Sequence, residues 1–122
     1  MRANWFEIPV TDMSRAKKFY ATIFHIEMGE DMEVGGSVMS FFPFDPEGDG
    51  ATGTLIQHES YIPSYKGVLV YFSVKEIDEV TALVRQAGGK VINEKMSIGE
   101  HGFVGHFEDS EGNRVALHQA FS

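Results

Sequence analysis

The chain contains no cysteine among its 122 residues. Disulfides, thiolate nucleophiles and cysteine-ligated zinc or iron–sulfur sites are therefore excluded. Positive charge is also scarce: ten basic residues face eighteen acidic ones, a formal net charge of -8 at pH 7. A field of that sign repels phosphate backbones and anionic membranes, which argues against nucleic acid or a membrane surface as partner. No apolar run approaches the roughly 20 residues that a membrane helix needs, and the start, Met1-Arg2-Ala3-Asn4, lacks a signal-peptide pattern. What is present is ordinary globular composition, 43% hydrophobic and 12% aromatic. The expectation is a soluble, cytoplasmic protein of one domain, or of two small halves sharing a core.

The halves are visible as a repeated pattern. Trp5 to Val10 reads as a strand with Phe6, Ile8 and Val10 on one face. After Thr11-Asp12-Met13-Ser14 comes a helical stripe of Ala16, Phe19, Tyr20, Ile23 and Phe24, with Asp12 as its N-cap. The same order returns later. Val68, Val70, Phe72 and Val74 alternate, and Ile77, Val80, Val84 and Ala87 form a second stripe ended by Gly88-Gly89. Aligning Val10 with Val74 gives an offset of 64 residues (74 minus 10), which also sets Met28 on Ile92 in the strands expected next. Three strands are predicted after each helix: 25–33, 38–44 and 52–58, then 90–96, 103–108 and 114–119. Gly35-Gly36 marks a tight turn, and Tyr61 to Gly67 is the natural link between halves. The reading is α+β, with β-α-β-β-β written twice, in modules of about 1–60 and 67–122.

Strand alternation also sorts the side chains. If Phe6, Ile8, Val10 and Val68, Val70, Phe72, Val74 pack on the helices, then Trp5, Glu7, Leu69 and Tyr71 point the other way. In the last strand Val115 and Leu117 read as core, which leaves Ala116 and His118 opposite. The predicted lining is Trp5, Glu7, Leu69, Tyr71, Ala116 and His118, with Phe42 or its neighbour added. Such a mostly apolar, partly aromatic surface with a few polar groups suits a small-molecule ligand. Glu7 stands between two core residues, so its carboxylate is expected either to pair with Arg114 or Tyr71, or to act as a general base or ligand anchor.

Phe6-Glu7-Ile8-Pro9-Val10 with Asp12, Arg15-Ala16 and Phe19-Tyr20 resembles the opening of the vicinal oxygen chelate superfamily, which contains glyoxalase I, bleomycin-resistance proteins and extradiol dioxygenases. Val74, Ile77-Asp78, Ala87 to Val91 and Asp109-Ser110-Glu111-Gly112-Asn113 resemble its second half. The resemblance implies paired β-α-β-β-β modules whose curved mixed sheets enclose a cavity, in a homodimer. Many members bind a divalent metal there; others sequester a ligand. The metal-ligand positions that the resemblance implies fall on Trp5, Leu69 and Ala116, none of which can ligate, and the fourth falls near Gln57 or His58. The resemblance therefore implies a protein that binds a small organic molecule with no metal and no other cofactor. The alternatives are a metal-dependent lyase, isomerase or dioxygenase using Glu7, His118 and His58 as shifted ligands, and a plain dimeric interaction module.

Overall fold

Two glutamines and two acidic caps fix where the helices begin. In the computed structural model, which describes residues 1–121, strand β1 (Trp5–Pro9) leads into helix α1 (Met13–Phe24). Asp12 caps that helix by accepting the Arg15 amide at 3.1 Å. Strands β2 (Met32–Val34), β3 (Ser37–Phe41) and β4 (Thr52–Gln57) complete the first unit. The second contains β5 (Tyr71–Ser73), α2 (Ile77–Gln86), β6 (Lys90–Ser97), β7 (Phe103–Glu108) and β8 (Arg114–Gln119), with a short 3-10 turn at Gly99–His101. The helices start at Met13 and Ile77, 64 residues apart (77 minus 13), the offset expected from the sequence.

The repeat extends to the chemistry of the helix starts. The free amide of Met13 donates to Oε1 of Gln57 at 3.0 Å, and that of Ile77 to Oε1 of Gln119 at 2.9 Å. Each glutamine is the last residue of the strand that pairs in parallel with the strand before the helix, so one side chain ties sheet to helix in each unit. A first-turn amide has no partner within its own helix, which makes these bonds a form of N-capping. Gln57→Ala and Gln119→Ala are each expected to cost about 0.5–2 kcal/mol. Urea unfolding should find the two losses additive, because the sites share no partner.

Each unit forms a four-stranded mixed sheet, in the orders β1-β4-β3-β2 and β5-β8-β7-β6. β1–β4 and β5–β8 are parallel and the other pairs antiparallel. One apolar core lies between both helices and the inner faces of both sheets, from Ile8, Val10 and Leu55 through Phe19 and Tyr20 to Phe107, Val115 and Leu117. Helix α1 reaches across both units. Phe19 packs on Phe107 of β7 at 6.0 Å between ring centroids, and Tyr20 meets Phe42 at 5.4 Å and Phe72 at 6.3 Å.

Polar groups join the units as well. Buried Asp109 accepts from the Tyr20 hydroxyl at 2.6 Å, from the amides of Glu111 and Asn113 at 2.8 and 2.9 Å, and from Asn113 Nδ2 at 3.0 Å. Asn113 Nδ2 also donates to the Pro9 carbonyl at 2.7 Å, and its Oδ1 accepts from the Ser64 amide at 3.2 Å. Burial first, then the Asp109 charge, pushes the Tyr20 phenol well above its ordinary pKa, so it stays a donor. Glu111, whose side chain has 0% exposure, takes the amides of Thr11 and Asp12 at 2.8 Å each and Arg15 Nε at 2.7 Å.

Some expected strands are shorter. Residues 25–31 are not strand: His25 closes α1 in the left-handed region with φ 54°, and the chain then passes Met28, a core residue outside any strand. In the second unit only 71–73 form β5, and Val68 is 94% exposed rather than packed on a helix. The Gly35-Gly36 turn and the stop at Gly88 (φ 97°) lie where they are expected.

Candidate functional site

Register divides each sheet into a face on the core and a face turned away from it. Phe6, Ile8 and Leu55 belong to the core side. Trp5, Glu7 and Pro9 therefore lie on the outer face with their register partners Thr52, Thr54 and Ile56 and, across β4, Phe41 and Met39. Trp5 is 42% exposed and meets Phe41 edge to face at 4.9 Å between centroids. Glu7 is exposed, beside Thr54 in the register. The Thr54 hydroxyl is buried, yet it has no hydrogen-bond partner among the described residues. A buried polar atom without a partner carries a desolvation cost of about 1–3 kcal/mol.

The second sheet is organised in the same way. Leu117 and Val115 face the core, and Tyr71, Ala116 and His106 share the outer face in register, as do Ser73, His118 and Val104. Tyr71 is half exposed, and its ring lies 6.1 Å from that of His106, so the two rings flank Ala116, which is 0% exposed. His106 is held below the usual imidazole pKa by burial and by the charge of Arg114, which keeps it neutral near pH 7. Its Nδ1 lies 3.3 Å from Asn93 Nδ2 and so accepts. His118 donates from Nε2 to the His101 carbonyl at 2.6 Å. Arg114, opposite Glu108 in the register, has a buried Nε without a partner among the described residues, while Glu108 accepts from the Tyr65 hydroxyl.

The two outer faces approach each other at a crevice of about 150 Å³ between β1 and the segment before β5. Glu7 borders it from one side, Arg114 and Val70 from the other, with Lys66 at its rim. Trp5 and Glu7 thus gather with Phe41 and Thr54, and Tyr71, Ala116 and His118 gather with His106. Leu69 is half-buried in the segment before β5. Four expectations change. Phe42 belongs to the core side, 6% exposed and against Phe6 and Tyr20, and it is its neighbour Phe41 that shares the outer face with Trp5. Ala116 offers no surface and forms a floor beneath Tyr71 and His106. Glu7 is open to solvent, and neither Arg114 nor Tyr71 pairs with it. Gln57 spends its amide oxygen on Met13. Thr54 escaped the sequence reading, and Arg114 entered it only as a partner for Glu7; strand register across the sheet is the signal that finds Thr54 and sets Arg114 opposite Glu108.

The donor set does not suit a divalent ion. Trp5, Leu69 and Ala116 supply an indole, an isobutyl group and a methyl. The nitrogen of His58 that faces Ser60 lies 2.7 Å from its hydroxyl. Among the described residues, no three His, Asp or Glu side chains are placed to hold a metal together. No helix is long and apolar enough to cross a membrane.

Comparison with known proteins places this geometry. The family model described as Glyoxalase/Bleomycin resistance protein/Dioxygenase superfamily matches residues 2–117. A Mycobacterium tuberculosis protein named "Putative glyoxylase CFP32" is 30% identical over 120 residues, covering 96% of this chain and 45% of its own length. The chain thus spans about half the length of that relative. A "Glyoxylase-like domain-containing protein" of Didymella fabae is 28% identical over 119 residues, covering 91% of this chain and 88% of its own. Among solved structures, a glyoxylase/bleomycin resistance protein/dioxygenase domain from Frankia sp. EAN1pec superposes with a TM-score of 0.76 at 13% identity, covering 99% of this chain and 98% of that one. TnmS3, an antibiotic-binding protein from Streptomyces sp. CB03234, gives 0.71 at 20% identity, covering 99% and 97%.

Proposed function

Because this chain belongs to the Glyoxalase/Bleomycin resistance protein/Dioxygenase superfamily, we propose that it binds a small, partly aromatic organic molecule on the outer faces of its sheets without a metal ion. The observation that carries this reading is the exposed Trp5, set edge to face against Phe41, beside the free carboxylate of Glu7 on the same sheet face. Trp5 and Phe41 offer a wall for a planar group. Glu7 offers an acceptor for its polar edge. Tyr71, the neutral His106 and Arg114 form a second wall, and the crevice between Glu7 and Arg114 takes the ligand's polar end. The whole chain acts as one domain, with residues 1–60 and 67–122 as its two modules. A homodimer covers both outer faces, and a reducing cytoplasm suits a chain without cysteine. The antibiotic-binding protein of the same fold supports sequestration of such a molecule. In any turnover Glu7 is the residue to take the proton, as the carboxylate beside Trp5 on this face, once the bound ligand excludes water from it.

Trp5 is the single tryptophan, so its fluorescence reports the site directly. Titration with a broad panel of planar, polar organic compounds is expected to quench Trp5 and raise the melting temperature together, by about 2.7 kcal/mol of added stability at a hundredfold excess over Kd. Glu7→Gln is expected to weaken the best compound about tenfold or more. Undiminished binding by that variant removes Glu7 from the site, and a panel without a single hit removes the reading. Metal analysis of untagged protein is expected to find no stoichiometric ion; one equivalent of iron, nickel or zinc would favour a metal-dependent reaction instead.

A further inference from the structure

We infer that the chain has a second, separate small-molecule site on the core side of the sheets, which takes a neutral, planar aromatic compound of two or three rings. A hollow of about 460 Å³ opens there between the end of α1 and the start of α2. Its wall is made of four phenylalanines from different parts of the chain: Phe6 of β1, Phe24 of α1, Phe42 after β3 and Phe72 of β5. Three of them, Phe6, Phe24 and Phe72, remain partly exposed although they adjoin the core. Aromatic surface left in contact with water is unfavourable by about 25 cal/mol per Å², so a guest that covers three such rings gains from each.

The wall is preformed. Phe24 and Phe72 lie 4.9 Å apart, Phe42 and Phe72 5.4 Å, and Phe6 stands 5.6 Å from both Phe42 and Phe72, in tilted or edge-on geometry. Phe42 is held by its amide bond to the Gly53 carbonyl at 3.0 Å and by the Thr52 hydroxyl, which donates to its carbonyl at 3.2 Å. Gly53 permits this closeness, because a Cβ there would collide with the ring and carbonyl of Phe6. Volume and charge select the guest. The hollow lies within the range of about 300–1,000 Å³ typical of ligand pockets. An α-helix about 10 Å across fills it with roughly one turn, so a docked helix or a second copy is a poor occupant. Of the acidic and basic side chains around the mouth, Glu76 is already paired with Lys95 at 3.1 Å and Lys75 and Glu79 offset each other, so a net charge on the guest finds no unbalanced partner.

The test uses N-phenyl-1-naphthylamine, a neutral two-part aromatic fluorophore, with the full chain. Saturable fluorescence enhancement at one probe per chain is expected, with methyl NMR shifts confined to Ile23, Ile26, Val74 and Val80, which line the hollow. Ala51→Trp, at the exposed mouth, is expected to weaken the probe about tenfold or more. Val80→Phe, which fills the interior, should do the same with the helical circular dichroism retained. Shifts centred on the Ile56 methyl of the outer face, enhancement that follows self-association of the chain, or indifference to both substitutions would each overturn the inference.

Discussion

Replacing Asp109 by alanine is expected to cost about 3–5 kcal/mol, the largest loss from any single side chain in the junction between the two units. The substitution strands four donors at once: the Tyr20 hydroxyl, two backbone amides and Asn113 Nδ2. The Tyr20 hydroxyl is fully buried and water cannot replace the lost acceptor. Against a total stability of roughly 5–15 kcal/mol for a domain of this kind, much of the population would unfold. Urea denaturation with m held constant measures the loss. Tyr20→Phe removes one donor and leaves Asp109 three, so about 1–2 kcal/mol is expected there. A double-mutant cycle should return a coupling of similar size. A loss below about 1 kcal/mol for Asp109→Ala would mean that the apolar core alone holds the units together.

The second large effect is expected in acid. Burial alone would raise the pKa of Glu111, but the Arg15 guanidinium, the amides of Asp12 and Thr11 and the Ser110 hydroxyl hold it down at about 2, against an ordinary 4.5. The folded value lies below the unfolded one, so the stabilisation is complete above pH 4.5 and is lost as pH falls towards 2. Its size is about 2–3 kcal/mol after allowance for the half-exposed Arg15. Glu111→Gln should be less stable than the parent by that amount at pH 7, and the two unfolding curves should converge near pH 2. A difference that stays constant across this range would show that the carboxylate charge contributes nothing.

How much of this was legible in the sequence depended on where phase is fixed. Helix starts, both stripes and the strands 103–108 and 114–119 follow from apolar spacing, because each is packed on one side and pinned by a turn or cap. The alternation at Val68–Val74 misled because pairing with β8 begins only at the Ala116 amide on the Val70 carbonyl, and Val68 extends past it into solvent. Phe41, Phe42 and Phe44 give no phase by themselves. Three closely spaced aromatics fit either parity, and only pairing of Phe41 with Thr54 assigns Phe41 outward and Phe42 inward. Alternation rightly turns Glu7 away from Phe6 and Ile8, but the face it joins is open, so the carboxylate is solvated and needs neither Arg114 nor Tyr71 as a partner. The clamp of Asp109, Glu111 and Asn113 was visible only as a motif. Its partners, Tyr20, Arg15 and Pro9, lie about ninety or more residues away in the chain.

The strand orders leave β1 and β2, and β5 and β6, at the ends of their sheets, each with one strand neighbour only. Exposed β2, Met32-Glu33-Val34, carries Glu33 and follows Glu30, and repulsion between these carboxylates and their copies on another molecule guards against strand-to-strand accretion. Salt that screens this repulsion opens the same border for polymerisation. Fibrous precipitate, rather than dispersed chain, is the fate to expect of concentrated protein at high ionic strength.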